Sequence, residues 1–426
     1  MLSTNRKQST PLRVGFLSRW DMNDPNAMSG TVHHCAKALK NAGIELVDIS
    51  NLAEINQTAW NKPINLEPVE NNLAPQIYSN AKNFWRRIKK SLSKCTLLWD
   101  EQRELRFAKK IGARAKQRLI KNNQNLDAVF GVCSSAEIAN LDVNVPIIYA
   151  SDTTAQLYHE SYQKYESLSS GCQNAQNKFE TQALDKCEYF LPASECGLKS
   201  ALLDYKVPPE RIKLIEFGAH ITPNQRVAPK KAPTKKNLQL CMVASDPVRK
   251  QLPLCISVAE ELQQRGWRVQ LNYIGEYHPA IAESKLVNWS GKLKLGSAKD
   301  SERHRQILRD SHWMLLPSKA EAYGIAACEA AHFGVPCAVS DIGGLPTVVK
   351  HNVTGLVLPI AANARDYADA LENVLLDGKQ YTKMSRASIE RATRTLSWDR
   401  WAQRVVNVVK ECVAVEKQAY DVEAAE

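Results

Sequence analysis

The stretch from Trp313 to Pro359 constrains the fold of this chain more than any other. An apolar run, Trp313–Leu316, ends at a proline and is typical of a buried strand. An alanine-rich segment, Gly324–Phe333, has helical spacing of its larger apolar residues, and the following Gly334 is a common helix terminator. A second apolar run starts at Cys337. The order strand, loop, helix, strand predicts a parallel α/β unit.

Two glutamates in this unit are candidates for binding a ligand. Glu321 lies in the loop before the predicted helix, and Glu329 lies within that helix. Ligands of open α/β sheets bind beyond the carboxyl ends of the strands, and a helix N-terminus favours phosphate because its N–H groups are free. Carboxylates on either side of the phosphate could accept hydrogen bonds from sugar hydroxyls. We therefore predict a nucleotide-sugar site, with solvated glutamates on an ordinary α/β unit as the alternative.

The spacing Glu321–x7–Glu329, followed by Gly334-Val335-Pro336 and the loop Gly343-Gly344, resembles the donor site of GT-B glycosyltransferases of family 4. The resemblance covers about Leu12 to Val415. It implies an α/β protein with the GT-B fold, in which two Rossmann-like domains face a cleft and a C-terminal helix crosses back to the first domain.

The length of 426 residues also favours two domains. We expect an N-terminal acceptor-side domain over residues 1–221 and a linker rich in proline and lysine over 222–236. A donor domain over 237–396 would follow, and residues 397–426 would form the crossover helix, from Ala402 to Val415, and a tail.

The net charge of +11 is concentrated between residues 81 and 122, where apolar residues alternate with lysine and arginine. An amphipathic basic helix could contact anionic lipid as a peripheral membrane protein does. The alternative, which we prefer, is a solvated helix whose apolar side packs on the first sheet. Nucleic acid is not an expected partner, since the basic run lacks a recognisable binding module.

The remaining sequence favours a cytoplasmic protein, peripheral at the inner membrane face if the basic segment binds lipid. No apolar run approaches the length of a membrane span, and the N-terminus lacks the long apolar core of a secretory signal. The 11 cysteines are scattered, without a C-x-x-C pair, as in proteins of reducing compartments.

Two candidates lie in the first domain. Gly30 stands at the entrance of a helix that Thr31 could cap, where a backbone can approach phosphate, with a simple turn glycine as the alternative. The segment is not a G-x-G-x-x-G fingerprint, so we do not predict a nicotinamide site. Asp152 follows the predicted strand Pro146–Ala150, where many members of the resembling family have a histidine near the acceptor. Its alternative role is to cap the next helix.

The second domain adds adjacent cations at a strand–helix junction, Arg249 and Lys250, which are placed to neutralise a diphosphate. Lys250 matches the lysine that the family uses for the donor phosphates. Gln251 departs from the pattern, because glycine is common there. The alternative is that both cations are exposed on the surface. Gly275, which ends the next predicted strand, belongs to the expected donor-binding set.

The resemblance implies retaining transfer of a sugar from a nucleotide diphosphate sugar, UDP- or GDP-linked, to a hydroxyl of a glycan, a lipid-linked acceptor or a small molecule. Arg249 and Lys250 would stabilise the leaving diphosphate together with the Gly30 loop. Glu329 would hold the ribose, and Glu321 would orient the donor sugar.

Backbone N–H groups at Tyr323, Gly324 and Ile325 would assist, and Asp152 would lie on the acceptor side. No D-x-D motif is present, so no metal is expected, and no cofactor beyond the donor. The alternatives are a non-catalytic scaffold that binds nucleotide sugars, and a GT-B epimerase or phosphorylase.

Overall fold

The computed structural model describes residues 11–50, 125–162 and 170–423, together with residues 106, 109–110, 112–113 and 115–117. Its first sheet is parallel, with the strand order β2-β1-β3-β4-β5. The strands are β1 (Arg13–Leu17), β2 (Glu45–Asp48), β3 (Ala128–Val132), β4 (Ile147–Ser151) and β5 (Tyr189–Pro192).

The helices of the first domain flank this sheet and alternate with its strands along the chain. They are α1 (Thr31–Asn41), α2 (Ser135–Ala139), α3 (Ala155–Tyr162), α4 (Ser170–Lys186) and α5 (Glu195–Leu203). Strands β3 and β4 are buried along their whole length, which explains their uninterrupted apolar sequences.

The second sheet is also parallel, with the order β11-β10-β9-β6-β7-β8. Its strands are β6 (Leu238–Ala244), β7 (Val269–Gly275), β8 (Val287–Trp289), β9 (Trp313–Leu316), β10 (Cys337–Ser340) and β11 (Gly355–Leu358). The described residues thus form two parallel α/β domains of the Rossmann-like type, as the sequence predicted.

The helices of the second domain alternate with its strands in the same way. They are α6 (Leu252–Gln264), α7 (Ala280–Glu283), α8 (Ala298–Asp310), α9 (Ile325–His332), α10 (Leu345–Val348), α11 (Ala364–Leu376), α12 (Gly378–Arg394) and α13 (Trp398–Glu423). The expected domain boundaries at residues 221, 236 and 396 stay a prediction.

Helix α13 crosses back from the second domain and packs on the first. The Trp401 ring meets the Phe130 ring of β3 edge-on, with centroids 5.7 Å apart. Gly218 makes this close approach possible, since a Cβ at that position would lie 2.3 Å from the Trp398 backbone nitrogen. One apolar cluster therefore contains residues of both domains and of the crossover helix.

Some predictions of local structure were wrong. Thr31 does not cap α1: it is the first helical residue, and the left-handed Gly30 precedes it without a side-chain cap. The last helix begins at Trp398 and reaches Glu423, beyond the predicted bounds of 402 and 415. Helix α12 was not predicted, because serines such as Ser385 and Ser388 occupy its buried face and weaken the apolar period.

The basic segment of residues 81–122 lies largely outside the described residues. Residues 106, 109–110, 112–113 and 115–117 are helical, and Ala115 packs in the core beneath the first sheet. In the part of the chain that the structure describes, no helix combines the length and apolarity needed to cross a bilayer.

Candidate functional site

A cleft of about 520 Å³ lies between the two domains. It opens beyond the carboxyl ends of β4, β6, β7 and β9, where loops of both sheets meet. This is the place at which parallel α/β sheets bind ligands, because loops and helix N-termini converge there.

The cleft brings together most of the site residues that the sequence predicted. Those that line it are Asp152, Arg249, Lys250, Gly275, Glu321, Tyr323, Gly324, Ile325 and Glu329. Gly30 does not line it, but its neighbours Ser29 and Thr31 do. The predicted set is therefore one spatial constellation, although it is spread over much of the chain.

The two cations of the second domain face the cleft and are not exposed on the surface. Each has a side chain that is 12% exposed. The Lys250 Nζ lies 3.1 Å from a Glu321 carboxylate oxygen, and the nearest Arg249 nitrogen lies 3.9 Å from the same oxygen. Arg249 also donates to the Ala320 carbonyl oxygen and stacks over the Tyr162 ring. These contacts hold two positive charges beside one carboxylate.

Gln251 occupies a position where glycine is common in the resembling family. The residue adopts a left-handed conformation, φ 61° and ψ 51°, immediately before α6. Its side-chain amide donates to the Val248 carbonyl oxygen at 2.6 Å, which stabilises the turn locally. A glycine would adopt this conformation without strain, whereas a side chain costs about 1 kcal/mol.

The N-terminus of α9 points its free backbone N–H groups at the cleft. Gly324 precedes the helix with φ 112°, and a Cβ there would lie 2.7 Å from a Leu345 methyl. The Tyr323 side chain is buried and donates to the Phe217 carbonyl oxygen at 3.0 Å. Tyr323 can therefore contact a ligand only through its backbone, as the sequence analysis proposed for it.

Glu329 is 3% exposed and lies on the first turns of α9. One carboxylate oxygen accepts from the Ile221 backbone N–H at 3.1 Å. The other lies 3.6 Å from Nε2 of His304, a residue that sequence reasoning missed. Burial raises the pKa of Glu329 to about 8, and burial together with Arg305 lowers the pKa of His304 to about 4.

His304 lines the cleft from α8, and its buried Nε2 has no hydrogen-bond partner. The sequence did carry a signal: His304 stands three positions before Ile307 and four before Leu308, on the face of α8 that is buried. A buried polar atom without a partner at the wall of a cleft is one that a ligand could satisfy.

The loop before α1 closes the cleft from the first domain. Met28, Ser29 and Gly30 all have positive φ, at 47°, 56° and 90°. A Cβ at Gly30 would lie 2.9 Å from the Pro25 carbonyl oxygen and 3.2 Å from a methyl of Leu295, a residue of the second domain. Consecutive left-handed residues are strained, and such strain persists where surrounding contacts impose it.

His220 is a second residue that the sequence analysis missed. Its ring stacks on the His34 ring with centroids 4.4 Å apart and also lies against Trp398 of the crossover helix. Burial lowers the pKa of His220 well below its usual value, so the ring is neutral. It lines the cleft, and its Nε2 has no partner. The stack joins the first domain to the crossover helix, beside the Gly30 loop.

Asp152 lies on the wall between this cleft and a second cavity in the first domain. Burial raises the pKa of the Asp152 carboxyl to about 6. The Cys133 thiol donates to it at 3.8 Å. The first-turn N–H of Leu157 donates to Thr154, at 3.4 Å, so Thr154 and not Asp152 serves the N-terminus of α3.

Comparisons with known proteins agree with this geometry. The family model described as "Glycosyl transferases group 1" matches residues 224–391. A D-inositol 3-phosphate glycosyltransferase from Saccharomonospora viridis is 33% identical over 108 residues, which are 25% of this chain and 25% of that protein. A protein of the same name from Corynebacterium efficiens is 24% identical over 290 residues, 64% of this chain and 67% of that protein.

The chain thus spans about a quarter of the length of several curated relatives that it matches. Among solved structures, sucrose-phosphate synthase from Thermosynechococcus elongatus has a TM-score of 0.64 at 14% identity, covering 95% of this chain and 100% of that chain. The chain therefore has the GT-B fold, and its residues 224–391 match the family of group 1 glycosyl transferases.

Proposed function

We propose that the chain is a retaining glycosyltransferase of family 4, which moves a sugar from a nucleoside diphosphate sugar to a hydroxyl acceptor. The convergence of Arg249, Lys250, Glu321, Glu329 and the α9 N-terminus on one cleft carries the proposal. Cations and free N–H groups suit a diphosphate, and a carboxylate on either side of them suits the hydroxyls of ribose and hexose. The matches to proteins named glycosyltransferases support the same reaction class.

In this proposal the diphosphate binds between Lys250 and the N-terminus of α9. Lys250, which now pairs with Glu321 at 3.1 Å, would gain the phosphate oxygens as further acceptors. Arg249 and the N–H groups at Gly324 and Ile325 add positive charge, so the proposal includes no metal ion. Their main effect is on rate, because charge accumulates on the phosphate oxygen as the glycosidic bond breaks.

The transfer step needs no protein nucleophile. The bond from the sugar C1 to the phosphate oxygen breaks, and its electron pair goes to that oxygen. The acceptor oxygen bonds to C1 from the same face, and its proton passes to the departing phosphate oxygen. Glu321 would orient the sugar, and Asp152 would orient the acceptor hydroxyl on the opposite wall. Retention of configuration follows from attack on the face that the leaving group vacates.

Glu329 and His304 would bind the ribose together. Their side chains offer two buried polar groups 3.6 Å apart, close enough for two neighbouring hydroxyls of one ribose to bond one group each. A ribose lacking one of these hydroxyls would leave one group unpaired, and an unpaired buried group is costly. UDP and GDP are the donors to test first.

Thermal unfolding with UDP, GDP and their sugars tests the proposal, with Glu329→Ala as a variant of the site. A ligand that binds only the folded chain raises the melting temperature in proportion to the logarithm of its concentration over its Kd. We expect a shift with one nucleoside diphosphate that is reduced in Glu329→Ala and unchanged in Lys319→Ala, which alters an exposed lysine of the same loop region.

Absence of any nucleotide shift in folded protein would contradict the proposal. Binding without transfer to any acceptor would instead indicate a scaffold that binds nucleotide sugars. The anomeric configuration of a product, read by NMR, decides between retention and inversion. Inositol 3-phosphate, the acceptor in the name of the relatives, is one acceptor to include.

A further inference from the structure

A second cavity, of about 440 Å³, lies in the first domain beside the interdomain cleft. The two share Met28, Asp152, Tyr162 and Ala322 in their walls, so they are direct neighbours. If the donor occupies the cleft, as proposed above, this cavity is where an acceptor hydroxyl can approach the donor sugar. The inference that follows rests on that proposed function.

The walls of the cavity are rich in aromatic rings. Trp20, Tyr158, Tyr162 and Phe179 contribute to them. The rings of Tyr158 and Tyr162 stack with centroids 4.7 Å apart and 14° between their planes. Flat aromatic faces with polar tips suit a ligand that presents both C–H faces and hydroxyl edges, which is the character of a sugar ring.

The polar groups of the cavity are mainly acidic. Glu137 is fully buried: one oxygen accepts from Arg19 at 3.0 Å, and the other, Oε2, has no partner. Glu180 is 3% exposed and accepts from the Tyr149 hydroxyl at 3.3 Å. Burial raises the pKa of Glu180 to about 7. Together with Asp152, three carboxyl groups line a cavity that is large enough for one or two small rings.

Only one lysine or arginine stands among the described residues that line this cavity, and it is Arg19, which Glu137 already pairs. Among the described residues of this cavity, an acceptor phosphate would meet carboxylates and no cation other than Arg19, which is unfavourable in a poorly solvated site. A hydroxyl is different, since it donates to a carboxylate oxygen such as Glu137 Oε2 and satisfies it.

We propose that this cavity is the acceptor site and that it selects an uncharged, polyhydroxylated ring, a sugar or cyclitol without phosphate. The ring packs on Trp20 and the Tyr158–Tyr162 pair, and its hydroxyls donate to Glu137 and Asp152. The reacting hydroxyl forms its bond to the donor C1, and its proton leaves with the phosphate oxygen of the diphosphate. An anionic acceptor is rejected because it adds negative charge to an acidic, partly buried space.

The test uses the full chain saturated with the nucleoside diphosphate that binds it, and titrates matched pairs of acceptors by calorimetry and by transfer assay. The pairs are myo-inositol against inositol 3-phosphate, and methyl glucoside and methyl N-acetylglucosaminide against their 6-phosphates. We expect at least one neutral member to bind and react at least about 10-fold better, in kcat/KM, than its phosphorylated partner.

Two variants separate the acceptor site from the donor site. Trp20→Ala should raise the acceptor KM at least about 10-fold and leave the nucleotide Kd unchanged. Tyr277→Ala, which removes an exposed aromatic ring outside both cavities, should change neither. Glu137→Gln removes one negative charge from the cavity wall, so it should lower the preference for the neutral acceptor about 10-fold.

Stronger binding of the phosphorylated partner, or no binding of any neutral ring to the nucleotide-bound chain, would overturn the inference. An unchanged acceptor KM in folded Trp20→Ala would overturn the location. Failure of the nucleotide itself to bind is a separate result, because it contradicts the proposed donor site before any acceptor is added.

Discussion

The two cavities that meet at Asp152 have opposite electrostatic character. The interdomain cleft presents Arg249, Lys250 and the N-terminus of α9, and its carboxylate Glu321 is paired with the cations. The cavity of the first domain presents Glu137 and Glu180, and Arg19, the one lysine or arginine among its described lining residues, is paired with a carboxylate. Our proposals follow this contrast: an anion for the first cavity and a neutral ring that donates hydrogen bonds for the second.

This difference arises although the two domains have the same architecture. Both are parallel sheets flanked by helices, and both place their binding residues at the carboxyl ends of the strands. The side chains at these ends differ: a loop carrying arginine and lysine follows β6, whereas Asp152 follows β4, and Glu137 and Glu180 stand on α2 and α4. A shared fold can therefore place two cavities at equivalent positions, while the local side chains give each its own charge.

We expect the largest effect from removing Lys250, the cation nearest Glu321 in the interdomain cleft. Lys250→Ala should lower the transfer rate about 10²–10³-fold, since it removes one group that stabilises charge on the leaving diphosphate. Steady-state kinetics with saturating acceptor measures this. The exposed Lys319→Ala should change the rate less than about twofold. Equal effects of the two variants would remove the basis for assigning Lys250 to the diphosphate.

A second test asks whether the close packing of the Gly343 loop against Glu321 requires a glycine. Gly343→Ala should lower the free energy of unfolding by about 2–4 kcal/mol, because the new Cβ would lie 1.7 Å from the Glu321 carbonyl oxygen at a φ of 53°. Gly266→Ala is the matched control: φ is 86° there, with open space around the Cβ, so only about 1 kcal/mol of backbone strain is expected. Urea unfolding compares them, and similar losses would contradict the close approach.

Each cavity contains a buried glutamate with a raised pKa, so the pH dependence of stability tests both cavities. The folded-state pKa is about 8 for Glu329 and about 7 for Glu180, against an ordinary value of 4.5. Each group holds a proton in the folded state that it releases on unfolding, so stability falls as pH rises from 4.5 to the folded pKa. The slope is at most about 1.4 kcal/mol per pH unit for each group.

Glutamine cannot titrate, so each substitution should remove the contribution of that carboxyl group to the pH dependence of the free energy of unfolding. Glu180→Gln should flatten the stability profile up to about pH 7, and Glu329→Gln up to about pH 8. Denaturant midpoints between pH 5 and pH 9 measure the difference. Profiles parallel to that of the original chain would show that neither carboxyl has a raised pKa.

The smallest expected effect concerns His304. His304→Leu should weaken nucleotide binding about 3–10-fold, in line with the loss of one hydrogen bond. It should also narrow the preference for a ribonucleotide over its 2′- or 3′-deoxy analogue, measured by calorimetry. Stability should be unchanged or higher, because Nε2 has no partner in the unliganded chain. Unaltered discrimination would exclude His304 from the ribose contact.

Much of the fold was predictable, because its signals are local. The run Trp313–Leu316 and the terminators Gly334 and Pro336 correctly predicted β9, α9 and β10. Helix α12 could not be predicted in the same way, since the burial of Ser385 depends on its bonds to the Gly334 carbonyl and the Lys230 N–H. Those partners lie 51 and 155 positions away, beyond any periodic pattern.

The candidate site shows the same division. Glu321, Glu329, Arg249 and Lys250 were predicted because each stands at a strand end or helix start that the sequence marks. His304 and His220 were not, since a histidine on an apolar face is usually a core residue. Their position at the cleft depends on how α8 and the segment after Phe217 pack against the other domain.

The amino-acid sequence alone was enough to predict two α/β domains and the positions of Arg249, Lys250, Glu321 and Glu329 at strand ends and helix starts, because apolar period, glycine and proline act over a few residues. Tertiary packing was needed to bring Leu295 against Gly30, to stack Trp398 of the crossover helix on His34 and His220, and to place Glu137 and Glu180 in one cavity with Asp152. These residues are far apart along the chain, and packing of the buried surfaces, which no local pattern records, brings them together.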